Sequence, residues 1–261
     1  MTEPKDFADA QRVIGLLWHK NQSQGQERTL RLARDAMVFV SNTGQQYPFL
    51  DFQDSRASRP APVVREERAS KLKEDLSEAE HFFKSLLNDP AAVNERTPIQ
   101  TILDALRFIV ATQQTEAFGD YLQRVDSLAP PLVLKAFETK EQADAWLKNH
   151  PSPPCSGDIL IGNQYHDVVY DRETDFRALP WNRRLERYLG DLVRTDPPVA
   201  QVSFGTRESA ETWLRDQSSP SPRTWVLIAG ELYLAVFHSN INHRAFHPIS
   251  MALQPVEEPE E

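Results

Sequence analysis

Residues 137–147, Phe-Glu-Thr-Lys-Glu-Gln-Ala-Asp-Ala-Trp-Leu, recur as residues 204–214, Phe-Gly-Thr-Arg-Glu-Ser-Ala-Glu-Thr-Trp-Leu. Both stretches belong to longer segments, residues 132–181 and 199–248, which align without a gap at an offset of 67 positions. Thirteen of the fifty aligned pairs are identical. Self-similarity at a fixed offset is typical of a duplicated structural unit. The sequence therefore predicts two copies of one fold, named here the first copy (132–181) and the second copy (199–248).

The aligned pairs provide an internal control on the role of each residue. A side chain that both copies keep is expected to serve the shared scaffold, whereas one that a single copy carries is a candidate for a specialised role. The identical pairs are Phe137/Phe204, Thr139/Thr206, Glu141/Glu208, Ala143/Ala210, Trp146/Trp213, Leu147/Leu214, Ser152/Ser219, Pro153/Pro220, Leu160/Leu227, Ile161/Ile228, Val169/Val236, Arg177/Arg244 and Ala178/Ala245.

The pattern within each copy predicts the order β-α-β-β. In the first copy, Leu132–Phe137 predicts a strand, and Thr139 caps a short helix with one apolar side. A Ser-Pro-rich loop leads to a strand at Asp158–Ile161, and Gly162-Asn163 turns the chain into a returning strand that ends at Tyr170. The second copy repeats this order. Two such units predict an α+β half in which the copies pack about a pseudo-twofold axis.

The first half of the chain has helical periodicity instead. Apolar residues at steps of three and four predict helices that include Glu27–Asn42 and Arg65–Asn88. Thr97-Pro98-Ile99-Gln100 predicts a capped helix start with Thr97 as the cap, and a kink is expected near Thr112. The aromatic segment Tyr47–Phe52 is expected to fill the helical core.

The predicted fold class is thus α+β, with an N-terminal all-α domain followed by a tandem duplication. The helical domain is expected at residues 1–130 and the duplicated α+β domain at residues 131–254. A linking helix is expected at residues 182–195, between the copies, and an acidic mobile tail at residues 255–261.

Composition narrows the function classes. The net charge of −9 disfavours nonspecific binding to nucleic acid, because like charges repel phosphate. The basic residues between Arg56 and Lys73 alternate with glutamates, which is typical of a solvated helix face. No apolar run approaches the roughly 18 residues of a membrane span, and no secretory signal is recognised at the N-terminus. A single cysteine, Cys155, fits a reducing compartment, so we expect a cytoplasmic protein without membrane contact.

The pattern Phe-x-Thr-Lys-Glu-x-Ala-x-x-Trp-Leu at residues 137–147 is followed by a polar proline loop, a hairpin and the Arg177-Ala178 pair. This combination resembles a family of uncharacterised soluble proteins from myxobacteria. Residues 33–49, Ala-Arg-Asp-Ala-Met-Val-Phe-Val-Ser-Asn-Thr-Gly-Gln-Gln-Tyr-Pro-Phe, are similar in style to such proteins. The resemblance implies a bacterial cytoplasmic origin, and it brings no activity and no site residue with it.

Arg177 and Arg244 are candidate binding residues, because a charged side chain is kept in both copies. One interpretation is a pair of anion or carboxylate sites, since a guanidinium suits bidentate recognition of such groups. The other is a pair of structural salt bridges, to Glu141 and Glu208, which are also kept in both copies.

Two tryptophans outside the identical pairs, Trp181 and Trp225, are the other candidate binding residues. We expect them to be partly exposed, as aromatic residues at partner surfaces often are. Trp146 and Trp213 instead lie on the apolar side of the predicted helices and are expected to pack in the core.

Three histidines near the C-terminus, His238, His243 and His247, are the nearest approach to a metal site, since zinc accepts three imidazoles and a water. The matching residues of the first copy are Asp171, Phe176 and Pro180, so such a site would have arisen after the duplication. Solvated or capping roles for these histidines are the alternative. Cys155 is expected in an exposed loop, where a nucleophilic role would require a base that the sequence does not identify.

No Gly-rich phosphate loop, Gly-x-Ser-x-Gly, His-Glu-x-x-His or Cys-x-x-Cys motif occurs, so no cofactor is expected. The leading hypothesis is a non-catalytic protein–protein interaction or regulatory protein, such as an immunity- or antitoxin-like binder that covers a basic effector. The expected partner is another protein, and a second copy of the chain is also compatible with the sequence. The alternatives are a metal-dependent hydrolase that uses the C-terminal histidines and a sensor that binds a small anion between the copies.

Overall fold

The fold is taken from a computed structural model, which describes residues 5–20, 23–55, 71–195, 198–218 and 220–252. The chain divides into two compact units, Met1–Gln123 and Arg124–Glu261. The architecture is α+β as predicted, because the first unit is helical and the described strands all lie in the second.

Six α-helices of the described residues begin in the first unit. They are α1 (Lys5–Lys20), α2 (Gln24–Asn42), α3 (Gln46–Ser55), α4 (Lys71–Leu87), α5 (Arg96–Ala111) and α6 (Thr115–Asp126). A short 3₁₀ segment, Pro90–Glu95, leads into α5. The predicted helices at Glu27–Asn42 and Arg65–Asn88 correspond to α2 and α4.

Helix α5 is central to the core of the first unit, since α1, α2, α3 and α4 all contact it. It buries ten of its sixteen residues, so it lacks the broad polar face of a surface helix. Phe49 of α3 is fully buried between Phe7 and Phe108, with ring centroids 5.2 and 5.7 Å away. The aromatic segment at Tyr47–Phe52 thus reaches the core as part of a helix.

Two details of the first unit differ from the sequence-based predictions. Thr97 is not a helix cap, because the preceding 3₁₀ segment runs directly into α5 and places Thr97 inside the helix. Gln100 consequently donates to Asp104, at 2.9 Å, and does not close a capping box. The expected kink near Thr112 is a complete break, in which Gln113 adopts a left-handed φ of 60°.

The second unit contains nine strands and three helices among its described residues, apart from the end of α6. The first copy comprises β1 (Val133–Phe137), α7 (Lys140–Asn149), β2 (Asp158–Ile161), β3 (Gln164–Asp167), β4 (Val169–Asp171) and β5 (Phe176–Ala178). Helix α8 (Arg184–Thr195) links it to the second copy. That copy comprises β6 (Val202–Phe204), α9 (Arg207–Asp216), β7 (Arg223–Ile228), β8 (Glu231–His238) and β9 (His243–Pro248).

Both copies pair their strands in the same way. A parallel pair, β1 with β2 or β6 with β7, is followed by an antiparallel hairpin, β2–β3 or β7–β8. The predicted β-α-β-β order is therefore present in each copy. The sequence-based prediction missed a further strand, which is β5 in the first copy and β9 in the second. Common ancestry of the copies stays a prediction from their sequences.

Backbone hydrogen bonds at equivalent positions have nearly equal lengths. Gly162 N donates to Phe137 O and Ala229 N donates to Phe204 O, both at 2.9 Å. Tyr170 N donates to Cys155 O, and Phe237 N donates to Pro222 O, both at 3.1 Å. The helix caps are also equivalent, since Thr139 and Thr206 each accept a bond from the third residue on, Gln142 N or Ser209 N. Of the identical pairs, Phe137/Phe204 and Thr139/Thr206 thus make the same structural bonds in both copies.

The returning strand of the hairpin is where the copies diverge. In the second copy it is one eight-residue strand, β8, whereas in the first copy it is interrupted at Val168 between β3 and β4. The last strand is also shorter in the first copy, where β5 ends at Ala178 and only Trp181 forms a further bridge, to His166. The first copy therefore has two small sheets in place of the single four-stranded sheet of the second copy.

Each copy packs one face of its sheet on its own helix and the other on a shared central core. Helix α7 covers Ile159 and Ile161 of the first copy, and α9 covers Val226 and Ile228 of the second. The central core combines residues of both copies with residues of α8, and its fully or nearly fully buried members are Val133, Leu160, Tyr165, Leu185, Leu189, Leu192, Trp225, Leu234 and Val236. The linking helix predicted at residues 182–195 therefore buries its apolar side between the copies.

Within the described ranges, no helix is long and apolar enough to cross a membrane. The predicted acidic tail at residues 255–261 lies outside the described residues, as do residues 56–70 of the predicted basic stretch.

Candidate functional site

Arg177 ties the end of helix α7 to strand β5. Its Nη1 donates to three carbonyl oxygens at the end of that helix, those of Leu147, Lys148 and His150, at 2.7, 2.8 and 3.1 Å. Its Nε and Nη2 donate to the Asp175 carboxylate at 3.0 and 2.8 Å. A cation at a helix C-terminus is favourable, because the last carbonyls lack partners within the helix. Arg177 is thus a helix cap whose charge is neutralised by Asp175.

Arg244 occupies the equivalent position in the second copy with fewer bonds. Its Nε donates to the Leu214 carbonyl at 3.1 Å, and its Nη1 donates to the Asn242 side-chain oxygen at 2.9 Å. Each arginine also lies over the aromatic ring of the neighbouring strand, Arg177 over Tyr170 at 5.2 Å and Arg244 over Phe237 at 4.6 Å. The cap is shared between the copies, but the ionic partner is not.

The decisive difference is one carboxylate. Asp175 and Asn242 are aligned residues with the same left-handed backbone, at φ 52° and 49°. Asp175 neutralises Arg177, whereas the Asn242 amide accepts a hydrogen bond from Arg244 and carries no charge. Both guanidiniums are positively charged, but that of Arg177 is compensated by the Asp175 carboxylate, whereas Asn242 leaves that of Arg244 uncompensated.

A cavity of about 380 Å³ lies beside Arg244. Its lining combines one face of α9, the start of β9 and the first-copy turn, and consists of Asn163, Arg207, Glu211, Leu214, Arg215, Asn242, Arg244, Ala245 and Phe246. Three guanidinium groups and one carboxylate thus surround the cavity. Arg207 and Glu211 form an ion pair at 3.0 Å, and Arg215 donates to the neutral Thr212 hydroxyl at 3.0 Å. The net charge of the lining is positive, although that of the chain is −9.

Asn163 brings the first copy to this cavity. It lies in the β2–β3 turn with a left-handed φ of 68°, and its side-chain oxygen lies 2.8 Å from His243 Nε2. The cavity is therefore at the junction of the copies. Arg244 lines this cavity, whereas Arg177 is not among the lining residues. The anion site between the copies stays a prediction.

The proposed salt bridges to Glu141 and Glu208 are wrong, because both arginines bind at the opposite end of the helix. Glu141 and Glu208 lie in the first turns of α7 and α9. Thr139 and the local backbone of that first turn lower the pKa of Glu141. Both glutamates thus lie where the positive end of the helix dipole favours an acidic side chain.

Of the two candidate tryptophans, Trp181 is exposed and Trp225 is not. Trp181 is 48% exposed, with the Arg183 guanidinium 5.3 Å from its ring centroid. Trp225 is only 6% exposed, because β7 turns this side chain into the central core. The expectation of a partly exposed Trp225 is therefore wrong. Trp146 and Trp213 are half-buried against the cores under α7 and α9, beside Phe137 and Phe204.

The three C-terminal histidines lie on one face of the β8–β9 pair. His238 faces His243 across the strands, with ring centroids 6.4 Å apart, and His247 lies opposite Leu234. No group of three or more metal-binding side chains is found among the described residues. The structure therefore offers no support for the zinc-dependent alternative.

His238 and His247 are instead buried, at 0% and 2% exposure. His238 Nε2 lies 3.4 Å from the Tyr165 hydroxyl, and Tyr165 also donates to the Pro131 carbonyl. Burial lowers the pKa of His238 to about 3, with nearby Arg124 as a further cause, and lowers that of His247 to about 4. Both imidazoles are therefore neutral at pH 7, which excludes the predicted solvated role.

Cys155 is also buried, at 2% exposure, and the expectation of an exposed loop is wrong. The loop is held against the sheet, since the Cys155 carbonyl accepts a bond from Tyr170 N and the Gly157 carbonyl accepts one from Val168 N. A buried thiol of this kind lacks the accessible, electropositive surroundings that make a cysteine reactive.

The sequence-based search missed a second polar network, around Asp158. The Asn182 amide donates to Asp158 and to the cross-strand Asp167, at 3.1 and 3.0 Å. Arg184, in the first turn of α8, pairs with Asp158 at 2.8 Å. Burial raises the pKa of Asp158 to about 6, although Arg184 opposes the shift. The alignment of the copies offered a signal for this network, because the charged Asp158 is aligned with the aromatic Trp225.

No protein-family model matches the chain, and searches of the curated proteins and of the solved structures likewise find no match. The site is therefore interpreted from its own geometry.

Proposed function

We propose that this protein is a non-catalytic regulatory protein that recognises an anionic small molecule in the cavity of the second copy. The observation that carries the proposal is the exchange of Asp175 for Asn242, which leaves the charge of Arg244 unneutralised beside an open cavity. A guanidinium with a neutral partner at the wall of a cavity is suited to bind a carboxylate or phosphate group.

The lining favours recognition over catalysis. Its only carboxylate, Glu211, is already paired with Arg207, and the lining contains no histidine, cysteine, serine or lysine to act as nucleophile or proton-transfer group. What it offers is positive charge, amide groups and an apolar wall, and these are binding elements.

The position of the cavity supports a regulatory role. A ligand there contacts α9, β9 and the first-copy turn at Asn163, which is itself joined to His243 of the second copy. A ligand that bridges these elements stabilises their arrangement by mass action, because it binds the folded junction and not the unfolded chain.

The duplication supplies the controls for a direct test. We expect isothermal titration calorimetry at low salt to detect binding of at least one of a phosphate monoester, inorganic phosphate and a hydroxylated carboxylate. Arg244→Gln and Asn242→Asp should each weaken that binding at least about tenfold, since one removes the guanidinium and the other restores the carboxylate of the first copy.

Arg177→Gln is the matched control, because it removes a helix cap of the same kind without altering the cavity. It should leave the affinity unchanged. A loss of affinity equal to that of Arg244→Gln would show that the effect is structural, and an absence of binding for every probe would overturn the proposal.

A protein partner is a second candidate, favoured by one observation. Trp181 and Phe176 are large apolar side chains of the first copy that are 48% and 56% exposed. Partner surfaces are enriched in such aromatic residues. Pull-down from native lysate should capture a stoichiometric protein with the wild type and lose it with Trp181→Ala; capture of none would count against this candidate. The myxobacterial resemblance and the cytoplasmic location stay predictions.

A further inference from the structure

We infer that the anion taken by this cavity is a phosphate monoester whose organic part carries hydroxyl groups. This inference rests on the proposed function and specifies its ligand. Four properties of the lining support it: the balance of charge, the arrangement of the guanidiniums, the size of the cavity, and the pairing of an apolar wall with a hydrogen-bond acceptor.

The charge balance matches a dianion. Arg207 is paired with Glu211, so within the part of the chain that the structure describes the lining guanidiniums without an ionic partner are those of Arg215 and Arg244. Their bonds go to neutral oxygens, those of Thr212, Leu214 and Asn242. A carboxylate would neutralise one of these two charges, whereas a phosphate monoester carries a charge of about −1.5 to −2 at pH 7.

Arg215 and Arg244 are both associated with the last turn of α9. Arg215 is in the last turn of α9, and Arg244 donates to the carbonyl of the preceding residue, Leu214. Arg244 donates Nε and Nη1 to neutral oxygens, and Arg215 donates Nη2 to one. Both guanidiniums keep further N–H groups that can donate to a ligand with three acceptor oxygens. A carboxylate has only two oxygens to share between the two arginines.

The cavity is longer than the anionic group. Its α9 residues are Arg207, Glu211, Leu214 and Arg215, which lie on one face of the helix at steps of four, three and one. The distance from Arg207 to Arg215 along the helix axis is about 12 Å. The volume of about 380 Å³ lies in the range of sites for small organic ligands. Inorganic phosphate would therefore leave most of the cavity unfilled.

The remaining lining residues indicate the chemistry of the organic part of the ligand. Leu214, Ala245 and Phe246 form an apolar wall along which a carbon skeleton can pack. Glu211 lies about one helical turn from Arg215 and offers carboxylate oxygens as acceptors, which suits hydroxyl groups on the ligand. The aligned residues of the first copy are less suited, because Asp175 would repel a phosphate and Lys148 replaces Arg215.

Titration calorimetry at pH 7.5 and low salt tests the inference with four probes: ribose 5-phosphate, ribose, inorganic phosphate and gluconate. Low salt is required because charged lining residues such as Arg207 and Glu211 are exposed. At 0.1 M salt, interactions between exposed charges are largely screened beyond about 10 Å. We expect ribose 5-phosphate to bind at least about tenfold more tightly than each of the other three. Its affinity should fall about tenfold at pH 5, where the phosphate loses its second charge.

Variants separate this inference from the proposed function. Arg215→Gln should reduce the affinity for ribose 5-phosphate to that for gluconate, whereas the matched Lys148→Gln in the first copy should change neither. If gluconate binds as tightly as ribose 5-phosphate and its binding depends on Arg244, the phosphate assignment is wrong and the anion site stands. If no probe binds, both proposals fail.

Discussion

The two copies share a scaffold and differ in what they bury and what they leave charged. Both cap their helix with a threonine at one end and an arginine at the other, and both make the same bonds between strands. The first copy encloses its arginine with Asp175 and turns a carboxylate, Asp158, toward the linking helix. The second replaces them with Asn242 and the buried Trp225. One copy has thus satisfied its charges internally, and the other retains positive charge at a cavity.

The largest expected effect is a pH dependence of stability that arises from two buried histidines of the second copy. His238 and His247 replace Asp171 and Pro180 of the first copy, and burial lowers both of their pKa values. The unfolded chain therefore binds more protons below pH 6.5, and stability is lost as the pH falls. At pH 5 each histidine should cost about 2 kcal/mol relative to pH 7.5. The raised pKa of Asp158 acts in the opposite direction and should offset about 1 kcal/mol.

Urea unfolding at both pH values measures this loss. Tryptophan fluorescence reports mainly on the second unit, which contains four of the five tryptophans. His247→Gln should reduce the pH dependence by about 2 kcal/mol, because it removes one titrating group. His19→Gln, at an exposed position of the first unit, is the control substitution. A pH dependence that His247→Gln does not alter would contradict the buried, neutral state of this imidazole.

The identical pair Leu160/Leu227 allows the burial of equivalent leucines in the two copies to be compared. Leu160 is fully buried in the central core, whereas its counterpart Leu227 is only partly buried. Leu160→Ala should destabilise the protein by about 3 kcal/mol and Leu227→Ala by about 1 kcal/mol, because less surface and a smaller cavity are involved. The free energy of unfolding in urea gives both values from the same chemical change. Equal losses would show that the two leucines do not differ in burial.

The smallest expected effect concerns a feature that the copies hold in common. Thr139→Ala and Thr206→Ala should each cost about 1 kcal/mol, since each hydroxyl caps a helix N-terminus on an exposed surface. Serine at either position keeps the acceptor and should restore most of the stability. Thermal unfolding of the four variants checks the prediction, and strongly unequal losses would break the equivalence of the copies.

The sequence-based predictions succeeded where the local signal and the tertiary environment agreed. The caps at Thr139 and Thr206 and the hairpins follow from residues close together in the chain. The apolar side of α8 follows from helical spacing. They failed where packing determines the environment of a side chain. Trp225 and Cys155 were expected at the surface. Trp225 lies in the core between the copies, and Cys155 is buried in a loop that is held against strand β4. Exposure depends on which elements cover a residue, and local spacing does not specify that.

The sequence by itself determined that this chain has a helical first half and two related β-α-β-β segments. Periodicity, capping residues and self-similarity can be recognised from the order of residues along the chain. It also singled out Arg177 and Arg244 as equivalent residues. Only the tertiary structure decided that the surroundings of the two differ. Whether a carboxylate compensates each guanidinium depends on the side chain two residues earlier. The cavity beside Arg244 depends on α9 and the Asn163 turn, which folding brings to it. Charges interact through space, so the ionic partners of each arginine are known only from the three-dimensional structure.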